Sequence, residues 1–144
     1  MSFDFSHLTK GLEVSADRTT RYTLYHLAGE PVLILAPATE ANKPYFNAVL
    51  RRMRRSTRIL AAGAINPQMI AENRNEDRAL FPHHVVRDWE GVLDREGKEV
   101  PFSPDACRAF LEALPDWVFD DLRNFAANAA NFAEQLDVEQ TGKN

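Results

Sequence analysis

Apolar positions along the 144-residue chain change period several times, and each change marks an element. In "RYTLYHL" Tyr22, Leu24 and His26 alternate with Thr23, Tyr25 and Leu27; after the turn residues "AGE", the run "PVLILAP" is apolar on both faces. This pattern predicts a β-hairpin over 21–36, closed by a three-residue loop, whose second strand is covered by a helix. Residues 1–17 show no sustained period, although Phe3, Phe5 and Leu8 are available to pack as a short arm.

From residue 42 the period becomes helical. Phe46, Val49, Leu50, Met53, Thr57 and Leu60 fall on one stripe, with Asn42 as cap, Pro44 in the first turn and Gly63 as the stop. Asn66 and Pro67 start a second helix whose polar middle, "AENRNEDR", leaves only a thin apolar edge at Met69, Ile70 and Leu80, so a solvated helix at the domain rim is expected. Beyond Pro82, Val85, Val86 and Trp89 suit a strand by residue type but share a helical face, and the helical reading is favoured. The strongest local signal is Ser103 before Pro104, a cap followed by a pre-set first turn, with Cys107, Phe110, Leu111 and Leu114 on one face. Pro115 interrupts. Val118, Leu122, Phe125, Ala129, Phe132 and Leu136 then step by fours and threes, which predicts one last helix and a frayed tail over 137–144. The expected architecture is α+β: one domain over 1–144, with an N-terminal antiparallel β-hairpin packed against a mainly helical region, 42–136, of four to five helices.

Composition adds a charge asymmetry. Residues 1–62 carry nine basic and five acidic side chains (+4), whereas residues 63–144 carry eight and sixteen (−8). Opposite halves attract one another within a fold, between copies or toward a partner. The longest apolar run falls far short of the ~20 residues a membrane-spanning helix needs. The start of the chain lacks a secretory pattern, and one cysteine forms no intrachain disulfide, so a cytosolic setting without membrane partners is expected.

Candidate chemistry is sparse. In "DREGKE" glycine comes fourth from Asp94 and Lys98 takes a would-be ligand position, so an exposed turn fits better than a calcium loop. His83 and His84 are adjacent and diverge on either a helix or a strand; no Cys or His pair has zinc spacing. Cys107 lies on an apolar face, where a buried inert thiol is the expectation. No nucleophile elbow or phosphate loop occurs, and neither enzyme chemistry nor a cofactor is expected. Arg51, Arg54, Arg55 and Arg58 project away from the apolar stripe of their helix. They suit an acidic protein surface, such as one on a neighbouring subunit, better than nucleic acid in so acidic a chain. Phe125 and Phe132 stand above alanines, a spacing that fits ordinary core better than a docking edge; with Trp89, Trp117, Arg51, Arg54 and Arg55 they are the candidate partner-contact residues.

The stretch "VVRDWEGVLDREGKEVPFSPDACRAFLEALPDWVFDDLRNFAANAANF" resembles tail assembly chaperones of long-tailed bacteriophages and prophages. The resemblance rests on the order of WEGV, the acid-glycine turn, PFS with its helix, and the closing asparagine and phenylalanine, and it extends weakly through "PVLILAPATEANKPYFNAVLRR". It implies a non-catalytic protein of the infected host cytoplasm that binds the tape-measure protein, helps tail-tube subunits assemble and is absent from the finished virion. Stacking with copies of itself would fit that role. A structural minor tail protein retained in the virion and a nucleic-acid-binding regulator using the Arg51–Arg58 face are the competing readings.

Overall fold

A computed structural model describes residues 3–15, 17–61 and 67–133, with side chains of 55–61 outside the description. Three strands form one antiparallel sheet in the order β1 (Thr20–Thr23), β2 (Val32–Leu35), β3 (Val86–Glu90). Four α-helices accompany it: α1 (Lys43–Ala61), α2 (Pro67–His84), α3 (Pro104–Ala113) and α4 (Asp116–Ala127), with short 3-10 turns at Ser6–Leu8 and Ala129–Phe132. The α+β class and the N-terminal hairpin are as the sequence predicts.

β2 is the central strand. Leu33 and Leu35 are fully buried while Val32 and Ile34 are half-buried, which is why both of its faces are apolar. Thr23 and Glu90 flank Val32, and Tyr22 and Trp89 flank Leu33. The hairpin loop is longer than the three residues expected, spanning 24–31. Leu24 N–H donates to Pro31 O at 2.8 Å, and the intervening chain turns on itself through Leu27 N–H to Leu24 O and Glu30 N–H to Leu27 O, which buries Leu24 beneath it.

The third strand corrects the helical reading of 85–89. Val85, Val86 and Trp89 are compatible with either period, and the free edge of β2 decides between them by offering a ladder of backbone partners. Ala36 N–H continues the contact to Val85 O at 2.7 Å. The second correction concerns α2. It continues through Pro82 to His84 and occupies the middle of the helical layer, burying Met69, Asp77, Arg78, Phe81 and Pro82, rather than lying at a solvated rim.

α1 follows its predicted span but is rotated. Tyr45 and Ala48 are buried, Phe46 and Val49 are half-buried, and Leu50 and Met53 are exposed; the side chains of Thr57 and Leu60 lie outside the described residues. Asn42 precedes the helix, but its side chain ties distant chain together by donating from Nδ2 to Pro37 O (3.0 Å) and His84 O (2.7 Å). Ser103 caps α3 as expected, its Oγ accepting from Ala106 N–H at 3.0 Å with Pro104 in the first turn.

α4 stops at Ala127 and does not run on to Leu136, which lies outside the described residues. Asn128 Oδ1 accepts from Ala130 N–H, and Asn131 Nδ2 donates to Phe125 O, so side-chain amides replace the next helical turn. The resulting 3-10 turn puts Phe132 into the core beside Phe125. The core runs from β2 and β3 through Phe81, Cys107, Leu111, Phe119 and Leu122 to Phe132. At the other end of the chain, Phe3, Phe5 and Leu8 do not pack on the body. All three are exposed, and the first contact with the core comes at Val14.

Candidate interaction surface

The segment between β3 and α3 is scaffold. Asp94 Oδ1 accepts from the N–H groups of Glu96 and Lys98, both at 2.9 Å, and Gly97 takes the left-handed conformation (φ 81°) that lets the turn close. The carboxylate that a cation would need is thus already engaged with the backbone. Trp89 is anchored nearby, donating from Nε1 to Val100 O at 2.8 Å and meeting Phe102 and Phe110 edge-on.

Of the aromatic side chains expected at a partner contact, the structure leaves one well exposed. Trp117 is 56% exposed on α4, while Trp89 and Phe132 are buried. Phe125 is half-buried, its ring 4.8 Å from that of Tyr22 and 6.2 Å from that of Phe132. Phe125 and Phe132 are therefore brought together within the fold, whereas the ring contacts of Trp89, in the same core, are with Phe102 and Phe110. His26 stands edge-on to Trp117 at 5.1 Å, and its chain neighbour Tyr25 is 71% exposed. The hairpin loop and the start of α4 thereby make an aromatic ledge, beside which Asp121 is exposed one turn after Trp117.

On α1, Arg51 and Arg54 are exposed, and the Arg55 side chain lies outside the described residues. Arg51 borders a groove of about 310 Å³ between α1 and α2, lined also by Ala48, Glu76, Ala79 and Leu80. Past the end of α2 the positive charge continues. The His84 pKa is lowered by burial first, and then by His83, Arg87 and Arg51.

Residues that the periodicity did not single out hold these surfaces in place. Asp77, almost fully buried on α2, accepts from Tyr45 Oη (3.1 Å) and Arg52 Nη1 (2.9 Å) of α1 and from Arg123 Nε (2.8 Å) of α4. Arg123 also reaches Asp120, and Arg74 grips Asp120 through two bonds of 2.9 and 2.7 Å. Asp116 bridges Arg74 and Arg78. Arg78 in turn donates to the carbonyls of Leu111 and Leu114 at the end of α3, adding to the Leu114 N–H bond that Leu111 O accepts. The physical effects are directional: burial acts to lower the Arg52 pKa, yet the Asp77 charge leaves it raised, and burial followed by Asp77 raises that of Tyr45. Hydrogen bonding from Arg74 leads the lowering at Asp120. A sequence signal for this ladder exists: Arg74 and Arg78 are spaced by four on α2, and Asp116 and Asp120 by four on α4.

A family model described as YdaY prophage protein matches residues 40–143, most of the chain and all four α-helices. The chain belongs to the YdaY prophage protein family. The phage or prophage origin implied by the resemblance is therefore supported. No curated protein and no solved structure matches. In this family member the matched segment contains the α1–α2 groove, the ion-pair ladder and Trp117; β1, β2 and residues 3–15 precede it. Among the described residues, no helix is long and apolar enough to cross a membrane, and no group of three or more His, Cys, Asp or Glu side chains is arranged to hold a metal. Cys107 is fully buried, and burial pushes its thiol up to about 12, away from the thiolate a nucleophile requires.

Proposed function

We propose that this YdaY-family protein is a non-catalytic tail assembly chaperone that binds a tape-measure protein in the host cytoplasm, promotes tail-tube assembly and does not remain in the virion. The observation that carries the reading is the ledge of Trp117, His26 and Tyr25, an exposed aromatic surface on a rigid helix start. Tryptophan and tyrosine are the side chains most often enriched at protein contacts, because a large apolar body ends in a polar group. Tape-measure proteins are long and helix-rich, and their apolar stripes need cover until a tube encloses them. Many modest contacts along one such chain add up through effective concentration. The basic face of α1, with Arg51 and Arg54, supplies a second surface for an acidic partner. The buried, high-pKa thiol of Cys107 favours binding over covalent catalysis.

Co-expression with the tape-measure protein of the same prophage tests this. The protein should co-purify with it and raise its soluble fraction, and Trp117→Ala should lose most of that effect while retaining its fold by circular dichroism. Purified virions should lack the protein. Its presence in mature particles would favour a structural tail component instead, and unchanged tape-measure solubility would sink the chaperone reading.

A further inference from the structure

Phe3 and Phe5 are 75% and 62% exposed, and their rings lie nearly parallel (6°) with centroids 6.3 Å apart. Leu8 is also exposed, and the arm reaches the core only at Val14, so the paired rings form an apolar tip, whereas lone exposed apolar side chains are ordinary. The α1–α2 groove has the complementary form. It is lined by Ala48, Ala79 and Leu80 together with Arg51 and Glu76, and its volume of about 310 Å³ is twice the ~150 Å³ of a protein cavity that accepts a benzene molecule. Two phenyl rings therefore match it in size. Arg51 at its border is placed to lie over an aromatic face.

Charge agrees with shape. Residues 43–61 carry six basic side chains and no acidic one, and residues 3–17 carry Asp4, Glu13 and Asp17 against Lys10. In the single chain the arm lies exposed and no arm residue lines the groove, so an arm tip seated there would be that of another molecule. We propose that the Phe3–Phe5 pair of one copy docks in the α1–α2 groove of a second, and that the second returns its arm to the first. Such an exchange is self-complementary and closes as a two-fold dimer. It needs neither Trp117 nor a tape-measure partner, although Arg51 at the groove border also belongs to the basic face offered to an acidic partner.

Sedimentation equilibrium on the full chain tests the exchange. The unaltered protein should dimerise. Phe3→Ala with Phe5→Ala, in side chains that support no part of the fold, should weaken the dimer at least about tenfold. Ala79→Glu, placed in the groove and checked for folding by circular dichroism, should do the same. Mixing the arm variant with the groove variant should restore a heterodimer through the one intact arm and the one intact groove. A monomeric unaltered protein, an arm variant that dimerises as before, or folded variants that fail to complement each other would overturn the proposal.

Discussion

α1 and α2 pack side by side and reverse what their sequences suggest. α1 has the clear apolar stripe, yet it leaves Leu50 and Met53 exposed with Arg51 and Arg54 beside them. α2 has hardly any apolar face, yet it lies at the centre and buries an aspartate and an arginine. Burial here follows the supply of partners more closely than it follows hydrophobicity. Asp77 and Arg78 leave water because α1, α3 and α4 together bring enough opposite charges and carbonyl groups to them. Arg51 and Arg54, by contrast, stay exposed on the outer face of α1.

The sharpest way to break that contrast is Asp77→Ala. It removes the shared partner of Tyr45, Arg52 and Arg123 and leaves two guanidinium groups in a half-buried site, so a loss of about 3–5 kcal/mol is expected in urea unfolding. Asp77→Asn should lose less, because its amide oxygen still accepts from one side while its NH2 can no longer accept from the other. By contrast Arg54→Ala, on the exposed face of the neighbouring helix, should stay within about 0.5 kcal/mol of the parent. Equal effects at the two sites would show that the ladder is not what centres α2.

Arg78→Lys should have the next largest effect. A lysine keeps the charge but lacks the planar fork that reaches Leu111 O, Leu114 O, Asn75 and Asp116 together, and about 1–3 kcal/mol should be lost. The amide protons of α3's last turn should exchange faster at the same time, which a change confined to the unfolded state would not produce.

These sites also mark where the sequence stopped being legible. α1, α3 and the turn at Gly97 could be read because their signals are local: a proline in a first turn, a serine cap, a glycine with positive φ. β3 could not, since Val85, Val86 and Trp89 fit both periods and only the unpaired edge of β2 selects the strand. The central place of α2 was hidden for a related reason. A row of charges reads as solvated until its partners, some forty residues away in the chain, are brought to it. Of the proposed contact residues, Trp117, Arg51 and Arg54 are at the surface. Trp89 and Phe132 each belong to an apolar pattern of a kind that looks alike in a core and in a docking face, and tertiary packing places both inside.

The smallest effect is expected at His84, where the inward charges of α2 give way to the outward charges of α1. Burial, then His83, Arg87 and Arg51, hold its folded-state pKa below the ordinary value of 6.5. The unfolded chain therefore binds the proton more readily, and its share of stability is complete above pH 6.5 and declines as the pH falls below that value. Urea midpoints measured from pH 8 down to pH 5 should show this decline, and His84→Gln should flatten part of it. Arg51→Gln should lift the His84 pKa in an NMR titration, by less than burying the ring lowers it, because burial is the leading cause and Arg51 the last of the four. If removing Arg51 leaves the titration unmoved, the positive charge of α1 does not reach the end of α2, and the two helices are electrostatically separate despite their contact.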